Sequence, residues 1–163
     1  MNTPLTLSHL TSLCLAILYN KPPVTHYSTF RILSFLPPDS LLSLVHLALF
    51  YLARLKLTTP FSPSSLPILF LASIITAQKV LEDKRFTNST WANLSGLPLG
   101  YVNRIERDFL THLRYDLFVS KEEFRDWLFS LKVLIQRVHS TSSKRQEEAG
   151  IKTPPTSPVS YPV

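Results

Sequence analysis

Residues 76–120 read TAQKVLEDKRFTNSTWANLSGLPLGYVNRIERDFLTHLRYDLFVS. The order of residue types predicts the end of a buried helix, a polar turn, a short helix, a Leu-Pro break, a second long helix and a stop. Thr87-Asn88 starts the short helix, which carries Trp91 and Leu94. Gly96 ends it, because glycine adopts the left-handed conformation that closes helices. Pro98 suits the first turn of the next helix, which is expected to run to Tyr115. Tyr101, Val102, Ile105, Phe109, Leu110 and Leu113 then follow the i, i+3, i+4, i+7 spacing of one helical face. Two charges, Lys79 and Glu106, interrupt these apolar patterns. A buried charge is costly unless it is paired or reaches the surface. The two therefore either pair with each other as scaffold or present a polar fork to a partner helix.

Upstream, the chain reads as more helix punctuated by proline. Asn2-Thr3-Pro4 is a cap and first-turn proline for a helix ending at Lys21-Pro22-Pro23. A short helix from about Thr25 to Leu36 carries Tyr27, Phe30, Ile32 and Leu33, and Pro37-Pro38 stops it. Asp39 or Ser40 caps a helix from Leu41 to Leu57 that is apolar nearly all round, the mark of a central helix. Thr58-Thr59-Pro60 ends it. Ser62-Pro63 opens the next helix, which runs through Ser65 to about Asp83. Downstream, Ser120 caps a last helix with Glu122 and Glu123 in its first turn. Its stripe of Phe124, Trp127, Leu128, Leu131, Leu134 and Ile135 fades near His139. Residues 140–163 are rich in Ser, Thr, Pro and charge and predict disorder. No stretch alternates as a strand would, so the chain predicts an all-α domain of six or seven helices.

Composition narrows the function classes. The 163 residues suit one domain, with 45% apolar and only 17% charged residues. A surface this poor in charge hints at a covering partner. The formal charge is +6, and before Glu82 the single acid is Asp39, against Lys21, Arg31, Arg54, Lys56 and Lys79. These bases are scattered and form no block, which favours a hydrophobic half-chain over a nucleic-acid surface. The lone Cys14 allows neither an internal disulfide nor a metal cluster and reads as a buried thiol. The apolar runs 41–57 and 66–77 fall short of about 20 uninterrupted residues, so core helices are predicted rather than membrane spans. Residues 5–18 lack the basic start and cleavage site of a secretory signal. With three glycines there is no phosphate loop. His9, His26, His46, His112 and His139 show no metal spacing, and no serine lies in a nucleophile elbow. The composition therefore predicts no enzyme, no cofactor and no metal.

The central stretch resembles the cyclin box, and within it the fungal cyclins of phosphate signalling and polarity. Four pieces carry the likeness: Ala77-Lys79-Leu81-Asp83, Thr87-Asn88-Trp91-Ala92-Gly96, Val102-Asn103-Glu106-Phe109-Leu110 and Asp116-Leu117-Val119-Ser120. It is strong over residues 60–128 and extends over 25–138. The resemblance implies a single five-helix cyclin box, with an extra N-terminal helix before it and a C-terminal helix after it. It implies a regulatory subunit that binds and activates a cyclin-dependent protein kinase, supplies no catalytic residue, and helps select substrates in cell-cycle or phosphate signalling. Lys79 and Glu106 match the family's lysine and glutamate that contact kinase backbone groups. Val80, Leu110, Tyr115 and Leu117 match apolar contacts to the kinase's mobile helix. Arg31, in Phe30-Arg31-Ile32-Leu33, matches a structural arginine whose usual acid partner lies in a Y-x-D-R string. Here that string is Tyr51-Leu52-Ala53-Arg54, so either Asp83 or a backbone carbonyl substitutes, or the likeness slips out of register there. Trp91 reads as a packing residue.

The expected organisation is an N-terminal helix and proline linker over 1–24, the box with its following helix over 25–138, and a disordered tail over 139–163. In the tail, Thr153-Pro154 and Ser157-Pro158 suit a proline-directed kinase, or are chance sites in a proline-rich end. The expected state is a monomer within a kinase heterodimer in the nucleus, the cytoplasm or both, without nucleic acid or membrane. The alternative is a cyclin-fold scaffold that binds transcription machinery or another non-kinase partner.

Overall fold

The structure is a computed structural model that describes residues 4–20, 26–58 and 65–150. The expected features at Asn2-Thr3, Lys21-Pro22-Pro23, Thr59-Pro60, Ser62-Pro63, Thr153 and Ser157 lie outside the described residues. Among the described residues seven helices follow in order: α1 (Pro4–Tyr19), α2 (His26–Leu33), α3 (Leu41–Thr58), α4 (Leu66–Leu81), α5 (Asn88–Ser95), α6 (Leu99–His112) and α7 (Lys121–Gly150). With no strand among the described residues, the chain is all-α: five helices, α2–α6, lie between a leading α1 and a following α7.

Contacts divide the chain into two units, residues 1–124 and 125–163. In the first, α3 and α4 form the centre. Leu44, Ala48, Tyr51 and Leu52 on α3 and Phe70, Ile74, Ile75 and Ala77 on α4 are wholly buried. Both helices are apolar on most faces, so each needs neighbours on several sides. α1 and α4 flank α3, α6 packs on α4, and α5 packs on α6. Polar ties fix the outer helices: Tyr19 Oη donates to the Leu52 carbonyl (3.1 Å) and Thr29 Oγ1 to the Ser8 carbonyl (3.2 Å). Among the described residues no helix is long and apolar enough to cross a membrane. In the second unit, Ser130 Oγ returns a hydrogen bond to the Asp126 carbonyl within α7.

Several boundaries differ from the sequence reading, each for a local reason. α2 stops at Leu33 rather than Leu36, because Leu36 N–H turns back to the Leu33 carbonyl and precedes Pro37, which disfavours helical backbone at Leu36. α4 begins at Leu66, since Ser65 is extended (φ −146°, ψ 113°) and Pro67 occupies the first turn. Ser40 precedes α3 through its carbonyl, which accepts from Leu44 N–H, while Ser40 Oγ is buried with no partner among the described residues. α7 continues past His139 to Gly150, through Lys144-Arg145-Gln146-Glu147-Glu148-Ala149, a run of strong helix formers.

The caps around α5 and α7 follow the residue types. Thr87 Oγ1 accepts from Thr90 N–H (3.2 Å), and Ser120 Oγ accepts from Glu123 N–H (3.1 Å). Gly96 closes α5 at φ 73°. Nothing lies within 4 Å of a Cβ added there, so Gly96→Ala should cost about 1 kcal/mol through backbone strain alone. Gly100→Ala, also in open space but in the first turn of α6, should instead stabilise by about 0.5 kcal/mol. Denaturant unfolding of the two variants should show opposite shifts.

Cys14 is 1% exposed, and burial pushes its thiol from 9.0 up to about 11. The unfolded chain loses this proton first, so between those two values the folded state alone holds it and stability falls as pH rises. At pH about 8 a thiol reagent should reach Cys14 only after denaturation. Stability should then decline above about pH 9, less steeply in Cys14→Ala, with Tyr51, also pushed up by burial, adding its share at higher pH.

Candidate functional site

The last turn of α4 carries Lys79, a position where the helix dipole favours a cation. Lys79 Nζ lies 2.6 Å from Glu106 Oε1 on α6 and 2.8 Å from Asn88 Oδ1 at the start of α5. Asn88 Nδ2 donates to Glu106 Oε2 (2.5 Å) and to Asn103 Oδ1 (2.8 Å). Three helices thus meet in one polar knot. The Lys79 side chain is 31% exposed and that of Glu106 12%, so the pair sits at the surface's edge, neither dry nor fully solvated. Of the two sequence options, scaffold or fork, the structure shows the pairing. It also leaves capacity: an ammonium has three donors and two are engaged, and a carboxylate has about four acceptor positions.

The loop between α4 and α5 is pinned so that Asn88 stands where it does. Gln78, wholly buried, accepts from Phe86 N–H through Oε1 (3.1 Å). The Phe86 ring meets Trp91 edge-on at 5.6 Å, and Arg85 Nη1 donates to the Lys79 carbonyl (3.3 Å). Trp91 is 1% exposed, the centre of this small packing cluster.

Exposed and half-exposed apolar side chains follow both members of the pair along the chain. Val80, next to Lys79, is 46% exposed; Leu110, one turn beyond Glu106, is half-buried; Tyr115 is 61% exposed; and Leu117 is half-buried. Backbone bonds link the last three: Tyr115 N–H donates to the Leu110 carbonyl (2.9 Å) and Leu117 N–H to the Tyr115 carbonyl (3.0 Å). Phe118, not singled out in the sequence, is the most exposed of this group at 79%.

The turn after α6 is unusual. α6 ends at His112, not at Tyr115 as its apolar pattern suggested, because Arg114 and Tyr115 are both left-handed (φ 55° and 56°). Such backbone costs about 1–2 kcal/mol per non-glycine residue and persists only when the surroundings hold it. Here α3 supplies the hold. Arg54 Nη1 donates to the carbonyls of Asp116 (2.8 Å) and Phe118 (2.9 Å), and Nη2 pairs with Glu123 Oε1 (2.8 Å). The Asp116 carboxylate lies 3.4 Å away, and the guanidinium sits 4.7 Å over the Phe50 ring. Tyr51 Oη donates to the Leu117 carbonyl (2.9 Å), and burial pushes its hydroxyl up to about 12. The sequence reading missed Arg54. The signal was present: with Lys56 it is one of two charges in an apolar helix, the same kind of anomaly that marked Lys79. Asn88 and Asn103 appeared only as motif letters.

Arg31 corrects an expectation. Its side chain is exposed and makes no ion pair or hydrogen bond with a described residue, neither with Asp83 nor with a backbone carbonyl. Ala53 offers it no acid. Arg31 instead edges a groove of about 190 Å³ with Ile32, Phe35, Pro67, Trp91 and Leu94. Among the described residues no group of His, Cys, Asp and Glu could hold a metal ion.

The family model described as Cyclin matches residues 12–117, a span that begins inside α1. The G1/S-specific cyclin pas1 of Schizosaccharomyces pombe is 34% identical over 87 residues, covering 50% of this chain and 21% of that protein. Cyclin-P3-1 of Oryza sativa subsp. japonica is 31% identical over 110 residues, covering 61% of this chain and 47% of that protein. The chain thus spans less than half the length of these relatives. No solved structure gives a significant match.

Proposed function

The chain belongs to the cyclin family, and from that premise we propose that it is a regulatory subunit that binds and activates a cyclin-dependent protein kinase and helps select its substrates. One observation carries the reading: a partly exposed Lys79–Glu106 pair with spare donor and acceptor capacity, together with exposed or half-exposed apolar side chains at Val80, Leu110, Tyr115 and Leu117. Charge-assisted hydrogen bonds to the ends of a partner helix are strong and directional. The apolar side chains add non-directional burial around them, the usual anatomy of an interface with a few dominant residues. Activation then follows if docking favours the kinase's active arrangement over its inactive one. The chain contributes no catalytic group in this reading, and it works in the nucleus, the cytoplasm or both.

The test is capture of partners on the wild-type chain beside the Lys79→Ala/Glu106→Ala variant, with bound proteins identified. A cyclin-dependent kinase held by the wild type and lost from the variant supports the proposal. A kinase absent from both overturns it, and a non-kinase partner held through the same residues would replace it with a scaffold function.

A further inference from the structure

We infer that Asn88 is the positioning residue of the docking pair: its carboxamide fixes where the Lys79 ammonium and the Glu106 carboxylate stand before a kinase arrives. The inference rests on the kinase-docking reading above. Lysine and glutamate side chains have long, freely rotating stems, and a partly exposed pair of them samples many geometries. Asn88 removes that freedom from both at once. Its Oδ1 accepts from Lys79 Nζ, and its two amide hydrogens go to Glu106 Oε2 and Asn103 Oδ1. Every polar valence that the amide turns toward the knot is therefore engaged. The orientation is chemically forced, since a flipped amide would face the ammonium with N–H and the carboxylate with C=O.

The anchor is itself rigid. Asn88 is the first residue of α5, directly after the Thr87 cap, and the preceding Phe86 is tied to Gln78 and Trp91. Glu106 is thus held at both oxygens, by Lys79 on one and Asn88 on the other. The donor left on Lys79 and the free acceptor positions on Glu106 then point in fixed directions. A pair organised before binding loses less freedom on binding, and affinity rises without any new contact to the partner.

The test uses the full chain with the kinase identified by capture, and measures affinity together with the melting temperature of the free chain. Asn88→Ala removes all three bonds. Asn88→Asp keeps the size and the acceptor toward Lys79 but loses the donors and sets a second carboxylate against Glu106. Both should weaken binding by about 10-fold or more, with Asn88→Asp deciding the matter if Asn88→Ala fails to fold. In a Lys79→Ala/Glu106→Ala background the same Asn88 substitution should cost less than about 3-fold, because both groups it positions are gone. Wild-type affinity in both Asn88 variants would overturn the inference. So would an undiminished loss in the Lys79→Ala/Glu106→Ala background, which would mean that Asn88 acts on the fold instead of through the pair. If Lys79→Ala itself leaves binding unchanged, or the wild type binds no kinase, the docking reading fails first and the inference falls with it.

Discussion

Lys79→Ala is expected to weaken kinase association about 30-fold, near 2 kcal/mol, while the free chain keeps its fold. The two effects separate because the Lys79–Glu106 contact is worth different amounts in the two settings. In the free chain the Lys79 side chain is 31% exposed. Water screens the attraction, and the loss should stay within about 1 kcal/mol. Glu106 also retains a donor in Asn88 Nδ2, so the carboxylate is not abandoned. In the complex the same groups are covered, water is excluded, and a missing ammonium leaves a partner acceptor without its donor. Calorimetric titration beside thermal unfolding of the free chain would read both quantities. A large drop in melting temperature with unchanged affinity would reverse the assignment and make Lys79 a structural residue.

Arg54→Ala should lower stability by about 2–3 kcal/mol and the melting temperature by roughly 5–10 °C. Arg54 satisfies two backbone carbonyls, pairs with Glu123 and lies over Phe50. Its side chain is only 12% exposed. Truncation strips these partners without giving water full access to them, which is the expensive way to lose a polar contact. It also releases the left-handed turn at Arg114 and Tyr115, whose strain the fold then no longer opposes. Because Tyr115 and Leu117 ride on that turn, kinase affinity should fall as well. Arg54→Lys should recover little: an ammonium cannot span two carbonyls and a carboxylate in the fixed fork of a guanidinium. Thermal melts of the two variants with the wild type would check the order. Equal melting temperatures for all three would show that the turn holds itself.

Much of the fold was legible because proline and the capping residues mark it. Thr87 and Gly96 bound α5 and Ser120 starts α7 as their residue types dictate. The all-round apolar character of Leu41–Leu57 identified the central helix. The end of α6 differs for a reason no local pattern holds. Apolar periodicity carried α6 as far as Tyr115, but Arg54 and Tyr51, 62 and 66 positions away along the chain, hold that segment in a turn. No local pattern reports a contact at that distance. The site was half legible for a similar reason. A charge in an apolar helix stands out, which exposed Lys79 and Glu106, whereas an asparagine at a helix start looks like ordinary capping chemistry. That Asn88 bridges the pair follows only from the packing of α5 on α6. Arg54 was as conspicuous as Lys79, and reading it as one of several scattered bases hid it. Arg31 was expected to pair with Asp83 or a backbone carbonyl, and its exposed side chain meets neither among the described residues.

The most direct test of the central claim is the rate at which the captured cyclin-dependent kinase phosphorylates a substrate as purified chain is added. The account predicts a saturable rise with one chain per kinase. For Lys79→Ala/Glu106→Ala it predicts a half-maximal concentration at least about 30-fold higher, without a full sum of the single effects, because the two residues share one network. A kinase rate that does not respond to the wild-type chain, or that responds equally to the variant, would contradict it.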